Sequence, residues 1–137
     1  SIAPERTVLL GIRDLDETER RAVHDSGVHA FTMLEIDQRG LYKVVQEALE
    51  LATADGAWLH LSFDLDSVDP RVAPGVGTPV PGGLSYREAH LIMETVSESE
   101  ALKTVDLVEV NPVLDTANAT AKLATELALS AVGKRIL

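Results

Sequence analysis

Residues 58–66, WLHLSFDLD, carry the strongest strand pattern of the 137-residue chain and end on two aspartates. The apolar-rich run 58–63 has the length and composition of a buried strand. The following stretch, residues 64–84, is rich in proline and glycine, which prevents regular structure and predicts an ordered loop. Within it, Ala73-Pro74-Gly75-Val76-Gly77-Thr78-Pro79 is either the wall of a ligand site or a plain connection.

The same strand-then-helix alternation extends outward in both directions. Strands are predicted at 7–12, 28–33, 58–63 and 105–110, and helices at 16–26, from about 41 to Asp55-Gly56, at 85–97, and around 123–131. Two helices begin on sequences that fit a capping box, Asp16-x-x-Glu19 and Ser85-x-x-Glu88. Four such units predict an α/β fold, in which a parallel sheet is covered by helices on both faces.

Acidic residues follow three of the four predicted strands. Ligands of open parallel sheets bind beyond the carboxyl ends of the strands. The first strand leads to Asp14 and Asp16, the third to Asp64 and Asp66, and the fourth to Glu109. The sequence therefore predicts that carboxylates from distant segments meet at one edge.

The pair Asp64 and Asp66 is the strongest candidate for a metal site. In an extended chain, side chains two residues apart point the same way, roughly 6–7 Å apart. Carboxylates at that spacing suit two hard cations such as manganese or magnesium. The alternative is a turn that caps a short helix. A calcium loop is excluded, because Val68 and Gly75 occupy positions where such a loop needs oxygen ligands.

Composition excludes several classes of function. A formal net charge of −10 disfavours nucleic acid as a partner, and suits a cationic substrate, bound metals or simple solubility. The apolar runs are too short to cross a membrane. With no cysteine, the chain needs no disulfides, so we expect a cytoplasmic protein.

Three blocks in fixed order resemble the arginase family. They are Ser62-Phe63-Asp64-Leu65-Asp66-Ser67-Val68-Asp69-Pro70, the segment 73–79 quoted above, and Gly82-Gly83-Leu84-Ser85-Tyr86-Arg87-Glu88. Gly11-Ile12-Arg13-Asp14-Leu15-Asp16 and Val108-Glu109-Val110-Asn111-Pro112 are also similar to family segments. The resemblance covers essentially the whole chain and suggests the carboxyl-terminal portion, residues 1–137, of a single catalytic domain of the three-layer arginase type.

The resemblance implies hydrolysis of L-arginine to L-ornithine and urea at a site of two Mn²⁺ ions. It implies that Asp64 and Asp66 are metal ligands, that Thr78 and Glu109 contact the guanidinium group, and that Asp16, with Glu19 nearby, receives the α-amino group. It also implies a homo-oligomer, a trimer or hexamer, when full length, with Arg87 and Glu88 near a subunit contact.

The chain departs from the family pattern in one major respect. The remaining metal ligands and the histidine proposed as a proton shuttle belong to an amino-terminal half that this sequence lacks, so we expect the chain alone to be inactive. Its own histidines, at positions 24, 29, 60 and 90, fall within predicted helices and strands and are interpreted as structural. Ser67 stands where a glycine is common, a change that a turn tolerates.

Three functions other than that of an arginase fit parts of the sequence. An agmatinase or related amidino hydrolase shares the 64–70 signature, but Asn111 and Asp16 favour arginine. A phosphoacceptor signalling domain has similar length and acidic strand ends, yet it requires a lysine where Asn111-Pro112 follows the last strand. A non-catalytic fragment or scaffold would keep the fold without the activity.

Overall fold

The computed structural model describes residues 2–134. The chain divides into two compact units, Ser1–Trp58 and Leu59–Leu137. Each contains one pair of parallel strands and the helices that pack with it. In the described residues no helix has the length and apolar character that a membrane span requires.

The first unit contains the parallel pair β1 (Val8–Ile12) and β2 (His29–Thr32). Its α-helices are α1 (Glu17–Ser26), α2 (Met33–Arg39) and α3 (Leu41–Ala52), with 3-10 turns at Pro4–Arg6 and Ala54–Gly56. The β1–β2 register shifts between Leu10 and Ile12, where Gly11 takes a φ of 86° that an L side chain rarely adopts. The buried side chains of this unit are Phe31, Ile36, Leu41, Val44 and Val45.

The second unit is built around β3 (Leu59–Asp64) and β4 (Leu102–Val108), which are also parallel. Its α-helices are α4 (Tyr86–Glu98) and α5 (Ala119–Ala131), and a 3-10 turn, Leu65–Ser67, follows β3. The largest fully buried apolar side chains are Leu65, Leu84, Met93, Leu127, Val68 and Val76. Three of these six lie in the loop after the 3-10 turn, so that loop is part of the core rather than a surface excursion.

The α/β class predicted from the sequence is confirmed, and both observed strand pairs are parallel. The predicted loop over 64–84 contains only the 3-10 turn and one isolated bridge, Val68 with Leu84. The capping boxes predicted at Asp16–Glu19 and Ser85–Glu88 both form, and α1 and α4 begin one residue after each cap.

The sequence prediction missed one helix and misplaced both ends of one strand. Helix α2 was missed, although Thr32 and Glu35 form a third capping box that ends β2 and starts the helix. Strand β4 begins at Leu102, earlier than predicted. Its start was missed because Lys103 and Thr104 are exposed and polar and interrupt the apolar pattern. It ends at Val108, since Glu109 takes a left-handed φ of 65° that breaks the extended chain.

Candidate metal centre

Asp64 and Asp66 lie at the carboxyl end of β3. We expected an extended chain between them, but the chain forms a 3-10 turn there. The Asp64 carboxylate accepts a hydrogen bond of 2.9 Å from the backbone N–H of Asp66 and so caps the 3-10 turn Leu65–Ser67. The hydroxyl of Ser67 donates to the carbonyl oxygen of Asp64 at 2.6 Å. A side chain that bonds to the backbone two residues later competes with the strand and bends it. Asp64 therefore caps a short helical turn, which is the alternative interpretation of this pair. The charge of Asp66 also acts on Asp64, so the two carboxylates lie near each other.

Thr78 reaches this turn from twelve residues away. Its Oγ1 donates to Oδ2 of Asp66 at 2.8 Å, although the threonine is exposed. The glycine- and proline-rich loop thus returns to the carboxyl end of β3. Two of the residues singled out from the sequence, Asp66 and Thr78, are in direct contact.

Glu109 follows β4 directly, and β4 is the strand paired with β3. Its Oε2 lies 3.7 Å from the point that a Cβ on Gly77 would occupy, so the carboxylate lies against the backbone of the loop that carries Thr78. The charge of Glu109 also acts on Asp64, so this carboxylate lies near the end of β3 as well. The carboxyl ends of both strands therefore contribute to one cluster: Asp64, Asp66, Thr78 and Glu109.

Negative charge accumulates in this cluster. Burial raises the pKa of Asp64 above its ordinary value, and the nearby charges of Asp66 and Glu109 raise it further, against the opposing hydrogen bond from the Asp66 N–H. Carboxylates that destabilise one another's charged forms are stabilised by a cation. The donors are all oxygens, which suits a hard divalent ion.

The cluster is nevertheless incomplete as a metal site. Over residues 2–134, no group of three or more histidine, cysteine, aspartate or glutamate side chains is arranged to hold a metal ion. Two neighbouring aspartates fit part of a metal site whose other ligands come from elsewhere. That the chain carries only part of a ligand set therefore stays a prediction.

A second layer of contacts fixes the loop and was not predicted from the sequence. The N–H of Gly75 donates to Thr120 Oγ1 at 2.7 Å, and the Gly75 carbonyl accepts from the N–H of Asn111, also at 2.7 Å. The Asp115 carboxylate accepts from the N–H groups of Thr116, Thr120 and Ala121 at the start of α5. These bonds tie the segment after Glu109 to the loop that carries Thr78.

Asp16 and Glu19 lie in the first unit, where they cap α1. Asp16 Oδ1 accepts from the N–H groups of Thr18 and Glu19 at 2.7 and 2.8 Å, and Glu19 Oε2 accepts from the N–H of Asp16 at 2.9 Å. Both residues are exposed. Capping therefore uses one oxygen of each carboxylate. That either residue also binds a ligand stays a prediction.

The four histidines lie where the sequence placed them. His24 and His90 are on α1 and α4, and His29 and His60 are on β2 and β3. His90 is buried and its Nδ1 is 2.9 Å from the hydroxyl of Ser130, while the exposed His60 pairs with Thr104 across the strands. These contacts agree with structural roles.

Comparisons with known proteins agree with the fold. A family model described as "Arginase family" matches residues 1–133. The arginase of Bacillus subtilis is 50% identical over 137 residues, which is 99% of this chain and 46% of that protein. The native structure of Bacillus caldovelox arginase superposes with a TM-score of 0.94 at 44% identity, covering 98% of this chain and 45% of the other.

A more distant neighbour is a hypothetical agmatinase from Burkholderia thailandensis, at 30% identity and a TM-score of 0.77, covering 93% of this chain and 38% of that chain. The fold and these matches define an α/β protein related to the ureohydrolases. Within that class, the chain belongs to the arginase family. It spans about half the length of the curated relatives it matches.

Proposed function

We propose that this chain is the carboxyl-terminal portion of one arginase catalytic domain, which hydrolyses L-arginine to L-ornithine and urea. The observation that carries the proposal is the convergence of Asp64, Asp66, Thr78 and Glu109 at the carboxyl ends of β3 and β4. The chain supplies part of a site for two Mn²⁺ ions and is inactive alone, because within residues 2–134 we assign only the two neighbouring aspartates as ligands.

In this proposal Asp64 and Asp66 hold the metal. When bound, the two ions would neutralise the carboxylates and supply a water molecule acidic enough to act as a nucleophile at neutral pH. The hydroxyl of Thr78 stays on Asp66 Oδ2 and limits which way that carboxylate can turn. A ligand held in one orientation keeps the geometry that the metal needs.

Glu109 and Thr78 receive the guanidinium group. A guanidinium carries five N–H donors in one plane, and a carboxylate accepts two of them in parallel. Gly77, next to the Glu109 carboxylate, has no side chain, so the flat group can approach the loop backbone closely. Glu109 thereby holds the substrate carbon at the metal edge of the site, while the Thr78 oxygen limits lateral movement.

Asp16, with Glu19 nearby, is proposed to receive the α-amino group of the substrate. Their exposed carboxylates lie at the amino terminus of α1, and each keeps an oxygen beyond the one used in the capping box. A carboxylate pairs with a charged α-amino group through a charge-assisted hydrogen bond. We assign this contact chiefly to Asp16.

The second candidate substrate is agmatine, because one structural neighbour is described as a hypothetical agmatinase. The similarity is greater to the arginase structure, at a TM-score of 0.94, than to the hypothetical agmatinase, at 0.77. The Asn111-Pro112 segment after Glu109, together with Asp16, also supports arginine. The full protein is proposed to be a cytoplasmic homo-oligomer, a trimer or hexamer, with Arg87 and Glu88 near the subunit contact.

The test is complementation. This chain is mixed with the part of Bacillus subtilis arginase that the match leaves uncovered, Mn²⁺ is added, and urea release is measured from L-arginine and from agmatine. We expect activity on arginine that Asp64→Asn abolishes and that the exposed control Glu5→Gln retains. Faster hydrolysis of agmatine would replace the substrate, and no urea from either, with both parts shown to be associated, would favour a non-catalytic scaffold.

A further inference from the structure

We propose that Asp69 is a positioning residue for the site: it fixes the loop that carries Thr78 and, through Thr78, the orientation of Asp66. The inference rests on the proposed function for the roles of Thr78 and Asp66. The Asp69 carboxylate itself bonds within the loop, to Arg71 and Gly82.

The Asp69 carboxylate is buried and makes contacts across the loop. Oδ1 accepts from the backbone N–H of Arg71 at 3.0 Å and from its Nε at 2.8 Å. Oδ2 accepts from the N–H of Gly82, thirteen residues away, at 2.9 Å. The side chain of Asp69 is 7% exposed while that of Arg71 is 88% exposed, so the carboxylate lies inside and its cationic partner outside.

The backbone closes the same ring. The N–H of Asp69 donates to the carbonyl of Leu84, and the N–H of Leu84 donates to the carbonyl of Ser67, both at 2.9 Å. Gly83 fits here only without a side chain, since a Cβ would lie 2.5 Å from the Ser67 carbonyl oxygen. These bonds join the two ends of segment 70–82, and Thr78 lies within the ring of chain that they close.

An aspartate is required at this point for a chemical reason. The two ends of the ring present backbone N–H groups, from Arg71 and Gly82, and one oxygen of the carboxylate accepts from each. An asparagine offers one acceptor oxygen and turns a donor N–H₂ toward the other N–H. The Arg71 guanidinium, then the N–H groups of Arg71 and Gly82, hold the pKa of Asp69 well below its usual range, which keeps both oxygens acceptors.

Thr78 connects the loop that Asp69 holds to Asp66, the proposed metal ligand. Between Gly82 and Thr78 the chain has only three residues, two of them prolines, so a displacement of Gly82 is carried toward Thr78 with little slack. Thr78 Oγ1 then fails to reach Asp66 Oδ2, and Asp66 gains freedom to rotate. Loss of such an outer contact weakens metal affinity about 10- to 100-fold.

The test compares Asp69→Asn with Arg71→Gln, which removes the guanidinium but leaves the backbone N–H on the carboxylate. The Kd for Mn²⁺ is measured by calorimetry on the complemented protein, and amide hydrogen exchange of Gly82 is measured on the 137-residue chain. We expect Asp69→Asn to raise the Kd about 10-fold or more and to speed exchange at Gly82. Arg71→Gln should leave both near wild type.

Coupling to Thr78 separates positioning from general destabilisation. Thr78→Val should raise the Kd by a similar factor, and adding it to Asp69→Asn should change the Kd by less than about twofold further, because both act through one contact. Additive effects would overturn the proposal, as would a wild-type Kd in a folded Asp69→Asn variant. If Asp69→Asn fails to fold by circular dichroism, Asp69→Ser, which keeps one acceptor, takes its place in the same cycle.

The two proposals fail differently. A wild-type complemented protein that binds no Mn²⁺ overturns the proposed function, and hydrogen exchange at Gly82 still judges Asp69. Unchanged Gly82 exchange in Asp69→Asn overturns the positioning role, whatever the metal result.

Discussion

Gly75→Ala places one methyl group against Asp115, where the loop that carries Thr78 meets the segment after Glu109. A Cβ on Gly75 would lie 2.4 Å from Cβ of Asp115, 2.5 Å from its Cγ and 2.8 Å from its Cα. Carbon atoms pack at about 3.5 Å or more, so the methyl group demands a displacement of roughly 1 Å. Neither side moves freely, because Gly75 is bonded at both its N–H and its carbonyl, and Asp115 accepts two N–H groups of α5 and that of Thr116.

The magnitude follows from these contacts. Overpacking a tight site costs about 1–3 kcal/mol, and breaking a hydrogen bond adds about 1 kcal/mol. We therefore expect Gly75→Ala to lower the free energy of unfolding by about 3 kcal/mol. With an m value of about 1–3 kcal/mol/M, the urea midpoint of the 137-residue chain should fall by roughly 1 M or more.

Gly77→Ala is the matched control in the same loop. Its added Cβ meets only Glu109 Oε2, at 3.7 Å, which is ordinary van der Waals contact. The substitution should be neutral or stabilise by up to about 1 kcal/mol, since alanine restricts the unfolded chain. A second check is Asp115→Gly, which should suppress part of the cost of Gly75→Ala. If Gly75→Ala unfolds at the same urea concentration as Gly77→Ala, the packing described for Gly75 is wrong.

Three further predictions concern the second unit. Leu127→Ala, which truncates a fully buried side chain of α5, should lower the free energy of unfolding by about 2–5 kcal/mol in urea denaturation, and a loss below 1 kcal/mol would contradict the core described. Ser85→Ala removes the side-chain acceptor at the start of α4 and should cost about 0.5–2 kcal/mol in the same assay, whereas exposed Ser99→Ala, past the helix end, should cost less. The folded-state pKa of Asp64 is raised, so its ionisation opposes folding: in the metal-free chain Asp64→Asn should raise the melting temperature at pH 7, and the gain should vanish as the pH falls through about 4. A gain that persists at pH 3 would show that charge is not its cause.

Much of the fold followed from local patterns. The capping boxes at Asp16 and Ser85 set the starts of α1 and α4, because the reciprocal hydrogen bonds involve residues three apart and need no tertiary information. The Thr32 box was equally local, but the apolar run through Met33 concealed it. The left-handed turn at Glu109 was invisible, since glutamate rarely adopts that backbone and only the surrounding contacts hold it there.

The sequence pointed to acidic residues of the cluster but not to the backbone turn that holds two of them. Acidic strand ends brought Asp64, Asp66 and Glu109 to attention, whereas the 3-10 turn depended on a side-chain bond to the backbone of Asp66. The contacts of Asp69 with Gly82 and of Gly75 with Thr120 span long sequence separations. No periodicity or local motif records such pairs, because they arise from how the loop packs against the rest of its unit.

The most direct measurement is anomalous scattering from manganese in crystals of the chain complemented by the missing arginase portion. We expect two manganese peaks, with carboxylate oxygens of Asp64 and Asp66 within about 2.5 Å of a metal ion, as oxygen ligands of divalent ions are. Glu109 should lie beside the ions without binding them. Manganese peaks remote from both aspartates, in a complex that releases urea from arginine, would contradict it.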